Sequence, residues 1–118
     1  MKNIYYWCPF IGNVATINAV INSAYSLKKF SNKKFIPTII NSCGEWNEFN
    51  LDLEKKGINL KEFKNFFKLN TKVNGFLKSR ITYIKIFFSC FFKLKNTLKT
   101  DNPDYIIVHL ITSLPIFL

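Results

Sequence analysis

Residues 3–41 read NIYYWCPFIGNVATINAVINSAYSLKKFSNKKFIPTIIN, and the fold turns on how this stretch is parsed. Residues 3–8 form a short β-branched and aromatic run that stops at Pro9, the make-up of a buried strand. Residues 9–16 make a loop. From Ile17 the apolar positions Ile17, Val20, Ile21, Ala24 and Leu27 recur at helical spacing, Asn18, Asn22 and Lys29 fill the opposite face, and Thr16 stands at the N-cap position. The helix should end near Phe30. Residues 35–41 then read as a second strand entered through Pro37. Two apolar strands joined by a helix are the building block of a parallel α/β sheet, because parallel strands need a crossover and a helix supplies it.

The alternation continues downstream. Residues 42–46, with Gly44, make a turn, and residues 45–56 form a short acidic helix or an irregular connection. Residues 57–63 alternate as a third strand would. Residues 76–99 form a long helix that Asp101-Asn102-Pro103 stops. Residues 104–110 are an almost unbroken apolar run, which predicts a central parallel strand covered on both faces. Thr112-Ser113-Leu114-Pro115 then resembles a helix start, with Ser113 as cap and Pro115 in the first turn. The expected fold class is α/β, an incomplete Rossmann-like parallel sheet of about four strands with flanking helices. The chain is expected to be a fragment, since a doubly wound domain adds further helix and strand pairs.

Bulk composition narrows the function classes. A chain of 118 residues, 48% hydrophobic and 20% charged, suits one globular domain with a core. The net charge is +10, and among the basic residues only Arg80 is an arginine. Lys, Asn, Ile and Phe make up about half the chain, the signature of A/T-rich codons, so genome composition accounts for part of the lysine excess. The charge is nonetheless uneven. All seven acidic residues lie at 45–62 or 101–104, whereas residues 63–100 carry Lys64, Lys68, Lys72, Lys78, Arg80, Lys85, Lys93, Lys95 and Lys99 without one carboxylate. That stretch forms a basic face that attracts anionic partners. Cys8, Cys43 and Cys90 are far apart in sequence, with no CxxC and no neighbouring histidine, so they support neither a zinc site nor a redox motif and point to reduced thiols in the cytosol. No stretch is long and apolar enough for a transmembrane helix.

The segments WCPFIGNVATINAVINSAYSLKKF, FIPTIINSCGEW and DNPDYIIVHLITSLPIFL resemble, in that order and over nearly the whole chain, the N-terminal domain of the family 4 retaining glycosyltransferases. In that family a glycine-containing loop over the acceptor site follows the first strand, and a later strand has the pattern Pro-Asp, apolar run, His. The corresponding residues are Gly12 in PFIGN, and Pro103-Asp104 with His109 in PDYIIVH. Many members carry a second glycine where Asn13 stands. The resemblance implies a GT-B architecture, with sugar transfer from a nucleotide-sugar donor to a sugar or lipid-linked acceptor in cell-surface polysaccharide or glycolipid synthesis. It implies neither metal nor cofactor, since the nucleotide-sugar is a substrate. The donor-binding residues would lie in a second domain outside this chain, leaving the fragment inactive alone. The implied setting is the cytoplasm, on the inner face of the plasma membrane.

Open parallel sheets bind ligands beyond the carboxyl ends of their strands, and the 9–16, 42–46 and 109–113 segments all sit there. Gly12 is free to take positive φ or admit a ligand, and the amides of Asn13 to Thr16 open a helix that favours phosphate; a structural strand-to-helix turn is the plainer account. Gly44, Glu45, Thr112 and Ser113 would line the cleft. His109, the only histidine, would contact the acceptor or stabilise developing charge, against the alternative of a structural residue closing an apolar strand. Glu45, Glu48, Asp52 and Glu54 are spaced as a solvated acidic face and receive no catalytic role.

Two readings of the 76–99 helix stay open. It is either a core helix with a lysine-bearing solvent face, or an interfacial helix with Lys78, Arg80 and Lys85 facing an anionic membrane. A nucleic-acid module with lysines interleaved among Phe63, Phe66, Phe67, Phe87, Phe88, Phe91 and Phe92 is disfavoured. Most of those phenylalanines come in adjacent pairs, as core residues do, and arginine is nearly absent.

Overall fold

The computed structural model describes residues 1–12, 15–64, 68–69 and 75–109. Strand β1 spans Lys2–Trp7, helix α1 Ala15–Phe30 and strand β2 Phe35–Asn41. A 3-10 turn at Asn47–Phe49 leads into helix α2, Asn50–Lys55, followed by strand β3, Asn59–Glu62. Helix α3 runs from Phe76 to Asp101 and strand β4 from Tyr105 to Val108. The strands form one four-stranded, all-parallel sheet in the order β3-β2-β1-β4.

Strict alternation along β1 builds two cores. Ile4, Tyr6 and Cys8 face one side, where they pack with Ile17, Val20, Ile21 and Ala24 of α1, Leu53 of α2, Ile39, Trp46 and Ile58. Tyr5 and Trp7 face the other side with Ile40, Cys43 and the α3 residues Ile86, Cys90 and Leu94. Helices therefore cover both faces, which is why β1 and β2 read as continuous apolar runs. Pro37 is fully buried within β2, yet the β3 ladder begins only at Thr38, so the proline precedes the first β3 partner. The chain steps outward from β1 to β2 to β3, then returns past β1 to place β4 on its other side. With the crossover hand held constant, that reversal puts α3 on the face opposite α1.

Asp101, in the last turn of α3, ties the helix to the sheet. It accepts hydrogen bonds from Tyr5 Oη (2.6 Å) and from the Lys61 ammonium. Those two bonds hold its carboxyl below the usual carboxylate range, while burial, followed by the Asp101 contact, pushes the Tyr5 phenol up to about 12. Asn102 then adopts φ +43° and its N–H closes on Leu98 O, an αL helix stop at the expected Asp-Asn-Pro sequence.

Three expectations are corrected. Among the described residues β4 is an edge strand, not a central one: it pairs there with β1 alone, and Tyr105 and Ile106 are exposed. Thr16 lies inside the first turn of α1, which begins at Ala15, and is not the cap. Helix α3 does not bury all its aromatic residues. Its core stripe is Thr82, Ile86, Cys90 and Leu94, spaced four apart, while Phe76, Leu77, Ile81, Ile84, Phe88 and Phe92 are 53–73% exposed. In the pairs 87/88 and 91/92 the second ring is exposed and the first half-buried, so pairing does not mark core residues here. Among the described residues no helix is long and apolar enough to cross a membrane.

Candidate functional site

A doubly wound sheet opens a crevice at the point where its strand order reverses. In the order β3-β2-β1-β4 that point lies between β1 and β4. The 8–12 loop leaves the carboxyl end of β1 and His109 follows the carboxyl end of β4. His109 N donates to Trp7 O at 2.8 Å, extending the ladder and setting the histidine directly beside the exit of β1. Its side chain is half-buried.

Gly12 does not use its conformational freedom, because its φ is not positive. It does leave space, since a Cβ built there would meet no heavy atom within 4 Å. Close approach, and not backbone strain, is therefore what glycine permits at this position. Gly12→Ala is expected to change the free energy of unfolding by less than about 0.5 kcal/mol, because nothing is displaced and no contact is lost. Urea denaturation of the variant measures this, and a ligand that approaches over Gly12 should bind the same variant more weakly. The helix that follows presents its first-turn amides toward this end of the sheet, with Thr16 in that turn. Asn13, Thr112 and Ser113 lie outside the described residues.

The 42–46 turn is built inward. Gly44 takes φ +88°, where a Cβ would also crowd Asn47 Nδ2 at 3.2 Å, so the turn requires glycine. Glu45 is not part of a solvated acidic face. It is 6% exposed, and its Oε1 accepts from Ser42 N (3.0 Å) and Ser42 Oγ (2.7 Å) while Oε2 accepts from Cys43 N (2.7 Å). Burial raises its carboxyl above the ordinary value, partly offset by these donors. Glu48 and Glu54 are exposed, and Asp52 pairs with Lys56 four residues on. Asn41 completes the turn, its Oδ1 accepting from Trp46 N and its Nδ2 donating to Asn47 Oδ1. Glu45 thus shapes the turn, and of the predicted site residues Gly12 follows the carboxyl end of β1 and His109 that of β4.

Two tryptophans near the strands' carboxyl ends, which sequence patterning did not assign to the site, lie in the two cores on opposite faces of the sheet. Trp7 is fully buried and sits 6.5 Å from Phe63, and Trp46 packs edge-on against Phe10 at 4.9 Å and Phe49 at 5.8 Å. Both tryptophans stand at or just past a strand's carboxyl end, which was the available signal. Among the described residues their indole N–H groups are buried without an acceptor, an uncommon condition for a buried donor.

All three cysteines are buried and unpaired by disulfide. The Cys43 and Cys90 thiols hydrogen-bond each other across the sheet–α3 boundary; that bond and burial push the Cys43 thiol up, and burial, aided by the Glu45 carboxylate, pushes up Cys8. The same bond lowers the Cys90 thiol, but all three sulfurs are buried from reagent, so native protein at neutral pH should react with a disulfide reagent at well under one thiol per chain in the time denatured protein yields three. Rapid release of one equivalent from native protein would contradict this placement. Among the described residues no three His, Cys, Asp or Glu groups converge to hold a metal ion.

No family model, curated protein or solved structure matches the chain.

Proposed function

We propose that the chain is the acceptor-side part of the N-terminal domain of a two-domain glycosyltransferase, acting with a nucleotide-sugar donor bound by a second domain. The observation that supports this best is the strand order, which reverses between β1 and β4, the two strands whose carboxyl ends lead to Gly12 and His109. These are the residues through which PFIGN and PDYIIVH resemble the family 4 retaining enzymes. Tyr105–Val108 is the strand of the second motif, and His109 is its first residue past the carboxyl end.

In this proposal Gly12 lets the acceptor close on the backbone, the first-turn amides of α1 favour an anionic group such as an acceptor phosphate, and His109 stabilises charge that develops near the transferred sugar. Glu45 supports the neighbouring turn and takes no proton from substrate. The acceptor is a sugar or lipid-linked sugar in cell-surface polysaccharide or glycolipid synthesis, made at the cytoplasmic face of the membrane. Among the described residues the sheet has an open edge at β4, and a further parallel strand added there would turn β4 into the central strand that its sequence suggests.

Sequencing the gene beyond the codon for Leu118 tests the two-domain proposal. The expected result is further helix and strand pairs completing this sheet, then a second Rossmann-like unit with carboxylates and basic residues placed for a nucleotide-sugar. A continuation into an unrelated fold would reject it.

A further inference from the structure

Helix α3 is apolar on more surface than the sheet can cover. Its buried stripe, Thr82, Ile86, Cys90 and Leu94, seats it on the sheet. Phe76, Leu77, Ile81, Ile84, Phe88 and Phe92 occupy the adjoining face and remain exposed. Helical spacing puts Leu77, Ile81, Ile84, Phe88 and Phe92 on one continuous strip, since neighbours along it fall three or four residues apart around a 3.6-residue turn, and Phe76 stands beside its start. A strip of this length exceeds the scattered exposed leucine or phenylalanine normal on a protein surface. Phe87 and Phe88 stand 5.3 Å apart and Phe91 and Phe92 5.1 Å apart, both edge-on, so the rings form ridges and not isolated tips.

The margins of the strip are cationic. Lys78, Arg80, Lys85, Lys95 and Lys99 are all exposed on this helix, and residues 63–100 contain no carboxylate. Arg80 stacks over Phe76, 4.9 Å from the ring centre, which places a guanidinium at the rim of the apolar surface. We propose that this face of α3 docks on an anionic lipid surface, with the aromatic and aliphatic strip lying in the acyl–headgroup boundary and the flanking cations on the headgroups. The proposal is independent of the sugar chemistry.

Charge decides between occupants. A two-fold contact with a second copy would set this face against itself and bring five cations per chain opposite five more, with no acid on the strip to answer them. An anionic bilayer supplies what the face lacks, an apolar layer bordered by dense negative charge, and the net charge of +10 adds long-range attraction.

Flotation of the full chain with vesicles tests this, using phosphatidylcholine alone and phosphatidylcholine mixed with phosphatidylglycerol. Partitioning onto the anionic vesicles is expected to be at least ~10-fold stronger than onto neutral ones and to weaken with added salt. The double substitution Phe88→Ser with Phe92→Ser should lower it roughly 10-fold or more. Since both rings are exposed, its circular dichroism and thermal midpoint should match the parent's, which separates lost docking from lost folding. A second variant, Lys78→Glu with Lys85→Glu, should remove the preference for anionic vesicles. Protein that stays at the bottom of the gradient, or floats equally with both vesicles, overturns the proposal. A dimer in light scattering that the Phe88/Phe92 variant dissolves, with no flotation, assigns the face to a second copy instead.

Discussion

Replacing Trp46 by alanine is expected to lower the free energy of unfolding by about 4 kcal/mol, in line with emptying a fully buried tryptophan site. The indole has no exposed surface and fills the space between Phe10, Phe49 and the α1 side of the sheet. Small domains have ~5–15 kcal/mol in total, so the loss would consume a large share of the stability. Trp46→Phe should behave differently. It keeps most of the ring contact and removes an indole N–H that is buried without an acceptor, so its cost should stay under about 1.5 kcal/mol. Urea unfolding followed by far-UV circular dichroism measures both. An alanine variant within 1 kcal/mol of the parent by the same measurement would mean that Trp46 does not anchor this core.

The second large effect is expected at Glu45. Its two oxygens receive two backbone amides and one hydroxyl within a buried turn, so Glu45→Ala removes the acceptor of three buried hydrogen bonds. Unsatisfied buried groups cost ~1–3 kcal/mol each, but small turns relax, and a net loss of roughly 3 kcal/mol is expected. The pH dependence has a definite sign. Burial raises the folded-state pKa above the unfolded one, so the folded chain holds the proton more tightly over the interval between them. The Glu45 contribution is therefore complete below the ordinary carboxylate value and declines as pH rises through the raised one. The stability gap between parent and Glu45→Ala should be widest in acid and narrow toward neutrality. A gap that widens with rising pH would show that the carboxylate is stabilised in its ionised form.

The sequence makes the sheet legible because its signals are local. The 35–41 strand, entered through Pro37 and ended by the turn at 42–46, has the bounds its sequence indicates, and α1 buries the apolar positions Ile17, Val20, Ile21 and Ala24 that its spacing indicated. Misreadings arose where an answer depends on distant partners. The Tyr-Ile-Ile-Val run is apolar enough for a central strand, yet whether a second strand pairs with it is set by chain order across the sheet, which no window of residues contains. Helix α3 has two adjoining apolar faces, and periodicity shows which residues share a face without showing which face the sheet takes. Glu45 looked like its acidic neighbours, since spacing does not reveal that Ser42 and Cys43 turn their donors inward. At the strand ends, Gly12 follows β1 and His109 follows β4, while the burial of Trp7 and Trp46 on opposite faces of the sheet emerged only from packing.

The central claim is that the crevice between the carboxyl ends of β1 and β4 is a ligand site for an anionic or sugar-bearing acceptor. Its most direct test is an amide-resolved NMR titration of the chain with a panel of sugar phosphates, short polyprenyl phosphates and free sugars. The account predicts that a binding member of the panel shifts the amides of residues 8–12 and of His109, and that Gly12→Ala weakens those shifts at unchanged stability. Shifts confined to the amino ends of the strands or to α3, or no shift with any member of the panel, would contradict it.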